Sequence, residues 1–203
     1  MAISLVTVGQ KITAYIQNLI IAQVNRQGLT QIIPTSVAGT GVTLATNGKV
    51  SFATATSVSI NGCFTSEFEN YRVVVDISTT STSNGGGFRL RASGTDNSAS
   101  YLGRQSYGTG SSWATAAYST SSFPYAAISA TEHFLVFDIN APALARPTRV
   151  QLVGSAFAGT TATADTFING KHNVSTAYDG FTLVPSTGNI TGSLVVYGYN
   201  AAA

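Results

Sequence analysis

Residues Asn61 to Val75 read NGCFTSEFENYRVVV, and the fold turns on them. Asn61-Gly62 is a dipeptide that accepts the left-handed backbone of a tight turn. Phe64 and Phe68 follow, and Tyr71 opens a run through Ile77 whose β-branched side chains suit a pleated strand better than a helix. Tyr178 to Tyr199, YDGFTLVPSTGNITGSLVVYGY, is built the same way, a turn signal joined to an apolar and aromatic strand. Between the two stretches lies almost nothing able to do covalent chemistry. A β-rich body that works by surface and shape is expected.

Working outward, Val42 and Leu44 alternate with polar neighbours, as do Val50 and Phe52, and Asn47-Gly48 between them predicts a β-hairpin. Val58 and Ile60 continue the period of two. Phe88 to Ala92 follows the Ser83-Asn84-Gly85-Gly86-Gly87 turn. Further strands are expected at Glu132 to Ile139, Arg149 to Phe157, Phe167 to Val174, Phe181 to Val184 and Ser193 to Tyr199, with Pro142 and Pro147 punctuating one connection. About eight to ten short strands divided by Gly, Ser, Thr and Asn turns predict two antiparallel sheets face to face. Residues 42–203 are therefore read as one mainly β domain, an antiparallel β-sandwich of jelly-roll-like topology.

The N-terminus reads differently. Ile12, Tyr15, Ile16, Leu19, Ile20 and Val24 recur at helical spacing and Gly28 supplies a stop, which predicts one short α-helix ahead of the sandwich. Such a helix is marginal alone in water. Its stripe must therefore meet its own domain, sister helices or another protein, so residues 1–28 are read as a docking or oligomerisation segment. Residues 29–41 run through Pro34 and a Ser/Thr/Gly-rich stretch and read as an extended linker. The apolar segment lacks a basic start and a small-residue cleavage site, and Gln17, Asn18 and Gln23 break it. Neither a secretory signal nor membrane insertion is expected.

Only 9% of the 203 residues are charged, against about 25% in a typical soluble domain. Exposed strand edges in so uncharged a chain invite sheet-to-sheet association, which points to an assembly that covers them. The ten basic residues form no run and the net charge is +2, so a nucleic-acid partner is not expected. Cys63 is the only cysteine; it reads as a small buried hydrophobe beside Phe64. His133 and His172 sit in no metal-ligand spacing. A triad of His172 with Asp165 or Asp179 and a serine is one catalytic arrangement to weigh, and the abundance of serine makes it weak. Glu67 and Glu69 share strand parity, but near Asn70 and Arg72 they read more simply as a polar turn than as a glycosidase-like pair. Asp96-Asn97 lacks the spaced carboxylates of a strong calcium loop, and Gly85-Gly86-Gly87 leads into no phosphate-binding helix. No catalytic residue, metal or cofactor is expected.

Ser93 to Ile128 is the least regular stretch, carrying Tyr101, Tyr107, Trp113, Tyr118, Phe123 and Tyr125 amid Ser, Gly and Ala. Rigid rings among small hydrogen-bonding residues are the chemistry of adaptable binding loops. The same rings could instead cover a sandwich edge or lie between subunits.

PTSVAGTGVTL, VSFATATSVSINGCFTSEFENYRVVVDI, FRLRASGTDNSASY and GFTLVPSTGNITGSLVVYGYN together resemble small virion proteins of tailed bacteriophages, of the minor tail, tail-fibre or head-fibre type. VGQKITAYIQNLIIAQVN is similar to the helical start of phage tail-associated proteins. The resemblance implies a β-sandwich made in the bacterial cytoplasm and displayed on the virion surface, commonly as a homotrimer. Its N-terminal segment would dock on other virion proteins or trimerise through Ile12, Tyr15, Ile16, Leu19 and Ile20. The expected function is non-enzymatic attachment to host-surface glycans, with Tyr101, Tyr107, Trp113, Tyr118 and Tyr125 stacking on sugar faces. The alternative is a capsid decoration or head-fibre protein that ornaments or stabilises the capsid.

Overall fold

A computed structural model describes residues 28–82, 85–109, 112–125, 132–158 and 162–200. The expected helix, with Ile12, Tyr15, Ile16, Leu19 and Ile20, lies outside the described residues. Those described form strands and turns, with no helix among them. In chain order the strands are β1 (Leu29–Ile32), β2 (Ser36–Ala38), β3 (Val42–Leu44), β4 (Val50–Ala55), β5 (Val58–Asn61), β6 (Asn70–Thr80), β7 (Gly86–Ala92) and β8 (Thr95–Asp96), then β9 (Tyr101–Thr109), β10 (Ser112–Thr120), β11 (Phe123–Pro124), β12 (Glu132–Asn140), β13 (Thr148–Ala158), β14 (Ala162–His172), β15 (Gly180–Pro185) and β16 (Ile190–Tyr199).

They make two antiparallel sheets. The larger runs β10-β9-β14-β13-β12-β6-β16-β4-β3, with β1 also on β16; the smaller runs β11-β7-β15-β5-β2, with β8 on β7. Their inner faces meet in the manner of a β-sandwich. Tyr71, Val73, Val75 and Ile77 on β6 are fully buried, as are Phe88 and Leu90 on β7 and Phe181 and Leu183 on β15. Phe88 joins the layers, with its ring centroid 4.6 Å from Phe181 in its own sheet and 4.8 Å from Phe137 in the other.

The turn that opened the sequence reading is pinned to the second stretch named with it. The Cys63 and Phe64 N–H groups both donate to the Asp179 carbonyl, at 2.9 and 3.1 Å. The Tyr71 hydroxyl accepts from the Thr65 N–H and donates to the Thr65 carbonyl. Cys63 is buried, and that burial pushes its thiol pKa far up. The Asn47-Gly48 hairpin pairs β3 with β4 as expected; Gly48 has φ +85°, and a Cβ there would stand 2.8 Å from the Ile32 carbonyl oxygen.

Two expectations are corrected. Residues 29–41 are not a free linker: Leu29 to Ile32 pair with Tyr199 to Val196, and Ser36 to Ala38 pair with Asn61 to Ser59. Pro34 marks the point where the chain leaves one sheet for the other, a role in which its missing N–H costs nothing. Nor are the described residues of the middle stretch mostly irregular, because Tyr101–Thr109 and Ser112–Thr120, nine residues each, pair antiparallel at the edge of the larger sheet.

Candidate functional site

With the inner positions of β6, β9, β12, β13 and β14 consumed by the core, the alternate positions make the outward face of the larger sheet. Register aligns them across strands. Arg104, Asn169, Gln151, Asp138 and Arg72 stand side by side on β9, β14, β13, β12 and β6. One residue pair along, Leu102, Lys171, Arg149, Asn140 and Asn70 form the next row.

Here the surface dips into a depression of about 670 Å³. Its polar lining comes from Asn70, Asp138, Asn140, Arg149, Gln151, Asn169 and the Tyr199 hydroxyl end of β16. Gln151 Nε2 donates to Asn169 Oδ1 at 3.1 Å, and Asn140 Nδ2 donates to Asn70 Oδ1 at 2.6 Å. Each pairing uses one donor and one acceptor of the two amides. The Asn169 and Asn70 amino groups and the Gln151 and Asn140 carbonyls are left for a ligand. Alternating donors and acceptors on a rigid lattice are the complement of a polyol, whose hydroxyls both give and accept.

One wall is an ion pair. Arg72 Nε and Nη2 donate to the two carboxylate oxygens of Asp138 at 2.8 and 2.6 Å, and the Tyr199 hydroxyl adds a bond of 2.5 Å to Oδ1. Burial by itself would raise the Asp138 pKa. The Arg72 and Tyr199 hydrogen bonds and the Arg72 charge outweigh it and hold the carboxyl below its usual range. Burial, the hydrogen bond to that carboxylate and its charge push Tyr199 up to about 12. The Arg72 guanidinium also sits 5.5 Å from the Tyr199 ring centroid, within cation–π range. This wall stays charged and fixed across ordinary pH.

Beside the depression runs an apolar ledge. Phe167 is two residues from Asn169 on β14 and so shares its face. Val153 is its cross-strand partner on β13. The Trp113 indole lies over Gly108, where any Cβ would stand 2.9 Å from Cε2, and stacks on Phe167 at 5.8 Å with 30° between ring planes. Trp113 is 58% exposed, Val153 54% and Phe167 43%.

Of the five aromatics expected to contact sugar, only Trp113 lies on this face. Tyr101, Tyr118 and Tyr125 are buried in the core, and Tyr107 is half-buried on the inward side, in register with buried Thr166. Tyr101 accepts from the Leu90 N–H, donates to the Asn97 carbonyl and packs edge-on against Phe123 and His172. The reason lies in the neighbouring small residues. Gly103 and Gly170 leave the niche that the Tyr118 ring fills, and Gly86 does the same for Tyr125. Small residues there make room for rings inside a sheet; they do not loosen a loop. Asp138, Gln151, Phe167 and Asn169 were missed. Their signal was present as alternate polar or apolar positions within strands, but only register brings them together.

His172 is buried between Ala99 and Tyr178. Nε2 donates to the Ala99 carbonyl at 2.9 Å and Nδ1 accepts from the Tyr178 hydroxyl at 3.2 Å. Burial lowers its pKa, opposed by the Ala99 bond. Asp165, an odd number of residues away on the same strand, is exposed on the opposite face, and Asp179 accepts from the Ser93 N–H. These three do not form a triad. His133 is buried within β12. Asp96 is engaged by Arg91 and Thr182. Among the described residues no cluster of three His, Cys, Asp or Glu could hold a metal ion, and no helix is long and apolar enough to cross a membrane.

No protein-family model matches this chain, and no curated protein matches it significantly. The site is therefore defined by its own geometry.

Proposed function

We propose that this chain is a non-enzymatic binding module that holds a glycan on the outward face of its larger sheet. The observation that carries this reading is the junction of ledge and depression. Phe167, on which the exposed Trp113 indole stacks, stands two residues along β14 from the Asn169–Gln151 amide pair, which keeps both donors and acceptors free. A sugar ring has an apolar face and a hydroxyl rim, so it needs those two surfaces side by side.

The resemblance to virion proteins of tailed phages supplies the setting: a minor tail or fibre protein, displayed as a homotrimer on the virion surface and attached through its N-terminal segment. Multiple copies would turn weak single sites into avid attachment. A jelly-roll-like winding is part of the same proposal, and the strand order supports it. The chain passes repeatedly between sheets, so that β5 lies beside β15 in one and β6 beside β16 in the other.

Trp113 is the single tryptophan, and it sits on the ledge, so its fluorescence reports the site directly. Titrating the 203-residue chain with a panel of bacterial envelope polysaccharides should give a saturable change for at least one of them. Trp113→Phe should weaken binding several-fold and Trp113→Ala by about tenfold, the equivalent of 1.4 kcal/mol, as judged by calorimetry. Affinity unchanged in Trp113→Ala, or no binding anywhere in the panel, would overturn the reading.

A further inference from the structure

Ten Lys and Arg residues are present in the whole chain, and eight fall among the described residues. Three of those eight are ion-paired: Arg72 with Asp138, Arg91 with Asp96 and Arg146 with Glu69. Of the other five, three stand together at one end of the outward face. Arg149 and Lys171 are direct cross-strand partners on β13 and β14, and Arg104 on β9 pairs with Asn169, two residues from Lys171. All three are exposed, and no carboxylate pairs with them among the described residues.

Like charges placed directly opposite on a sheet repel and destabilise it. In a chain so sparing of charge, the arrangement is hard to explain by stability or solubility. It is also not a flat patch. A second hollow, of about 240 Å³, lies between Arg149 and Lys171 and is lined by Leu102, Gly103, Asn169 and Gly170 as well. It shares Arg149, Asn169 and Gly170 with the larger depression. Asp138, inside the larger depression, is neutralised by Arg72. The exposed carboxylates of this face, Asp76, Glu132 and Asp165, stand toward its other end, beyond the row of Phe167, Val153 and Val136, with Asp165 in register with Gly108 and Trp113. The face is polarised, with its basic end at the polar hollow.

Resting on the glycan reading above, we propose that the ligand is an acidic polysaccharide. Its repeating anionic group, a phosphodiester or a carboxylate, sits between Arg149 and Lys171 while a neighbouring sugar ring reaches the Asn169–Gln151 amides and the Phe167–Trp113 ledge. Arg149 supplies a planar fork for two oxygens of one anion, and Lys171 a point charge opposite it. Arg104 extends the positive strip along β9 toward the next repeat.

The test uses the full chain and four polymers: poly(glycerol phosphate), polygalacturonate, uncharged dextran and double-stranded DNA. Affinities are measured by calorimetry and Trp113 fluorescence from 50 to 500 mM NaCl. One or both acidic polymers should bind at least tenfold tighter than dextran at low salt, with the advantage shrinking as salt rises. The preferred acidic polymer separates phosphodiester from carboxylate. In Arg104→Gln/Arg149→Gln/Lys171→Gln the ratio of acidic-polymer to dextran affinity should fall to about one, while thermal stability holds or rises because the repulsion is gone. Equal binding of dextran and the acidic polymers would overturn the anionic assignment and leave the glycan reading standing. An acidic preference that survives the triple substitution would also overturn it. DNA binding as tight as the acidic glycans would overturn the ligand class, and silence from every polymer would remove the glycan reading with it.

Discussion

Tyr118 offers the sharpest contrast between a sugar-stacking residue and a core residue, because the two roles predict opposite effects of losing its hydroxyl. The ring is buried and packs over Gly103 and Gly170, and its hydroxyl has no hydrogen-bond partner among the described residues. Burial pushes that hydroxyl's pKa well up. A buried, unbonded hydroxyl costs about 1–3 kcal/mol in lost hydration, so Tyr118→Phe should stabilise the fold by about 1 kcal/mol. For a domain of this size that raises Tm by about 2–4 °C. Gly170→Ala should do the reverse, since its Cβ would stand 2.0 Å from the Tyr118 hydroxyl and 2.9 Å from Phe123 Cε1. Overpacking of that kind costs about 1–3 kcal/mol. The two changes should couple, because removing the hydroxyl removes the nearest clash, and the double variant should recover at least about 0.5 kcal/mol beyond additivity. Urea unfolding of the four proteins measures all three quantities, and glycan titration of Tyr118→Phe should match the parent. A Tyr118→Phe variant that is less stable by more than 1 kcal/mol, or that loses glycan affinity, would refute the placement of this ring.

Acid should weaken the fold in two steps. His172 has a folded pKa below its ordinary 6.5, so the unfolded chain takes up a proton first, and stability present above that pH declines as pH falls through it. Asp138 has a folded pKa below its ordinary 3.8; its contribution is present above that value and lost as pH falls further. With both partners over a third exposed, solvent screening limits that second step to about 1 kcal/mol or less. His172→Gln should flatten the first step and Asp138→Asn the second in urea midpoints collected from pH 8 to 3; a midpoint independent of pH across 7 to 5 would refute the first. Thr54 has φ +49°, a left-handed backbone that costs a β-branched residue about 1 kcal/mol or more. Thr54→Asn should therefore stabilise by about 0.5–1 kcal/mol in the same assay, and a loss of stability would show that the Thr side chain is needed there.

What could be read locally was legible. The Asn47-Gly48 hairpin and the strands at residues 132–140 and 148–158 declare themselves through turn chemistry and alternation within a few residues. The middle stretch did not, because the Gly and Ala that make niches for Tyr118 and Tyr125 look, in sequence, like the small residues of a loop. Only the partner strand tells which they are: Gly170 lies far along the chain from Tyr118. The candidate site was illegible for the same reason. Asp138, Gln151 and Asn169 are ordinary outward positions on three strands, and nothing local says that register sets them in one row with Arg72 and Arg104. Of the five rings singled out from the sequence, Trp113 alone is exposed on the outward face; a lone tryptophan among small polar residues needs either a core or a ligand, and residue type by itself does not say which.

Carrying the proposed site on strands has a structural requirement, because a one-residue slip would turn each of its outward groups inward. The register of β16 with its neighbours is held by paired irregularities. Between Thr191 and Gly192, β6 takes in an extra residue at Ser78, and β4 takes in one at the same level, near Ala53 and Thr54. On both neighbours the burial pattern therefore skips, so that Ile77 and Thr80 are both buried, as are Phe52 and Ala55. Thr191 Oγ1 accepts from the Thr54 N–H at 3.0 Å across this level, and Gly192 allows close approach, since a Cβ there would meet the Asp76 carbonyl oxygen at 2.0 Å. Below the bulges β16 alternates without interruption, with Leu194 and Val196 buried, and Tyr199 is delivered outward onto Asp138. The bulges lie at one end of the sheet, and from Gly192 to Gly198 β16 pairs with β6 without a shift toward the polar wall at the other. Bulges conventionally re-aim a side chain near a site; here they sit away from the proposed site, whose groups are carried on uninterrupted strand pairs and not on loops.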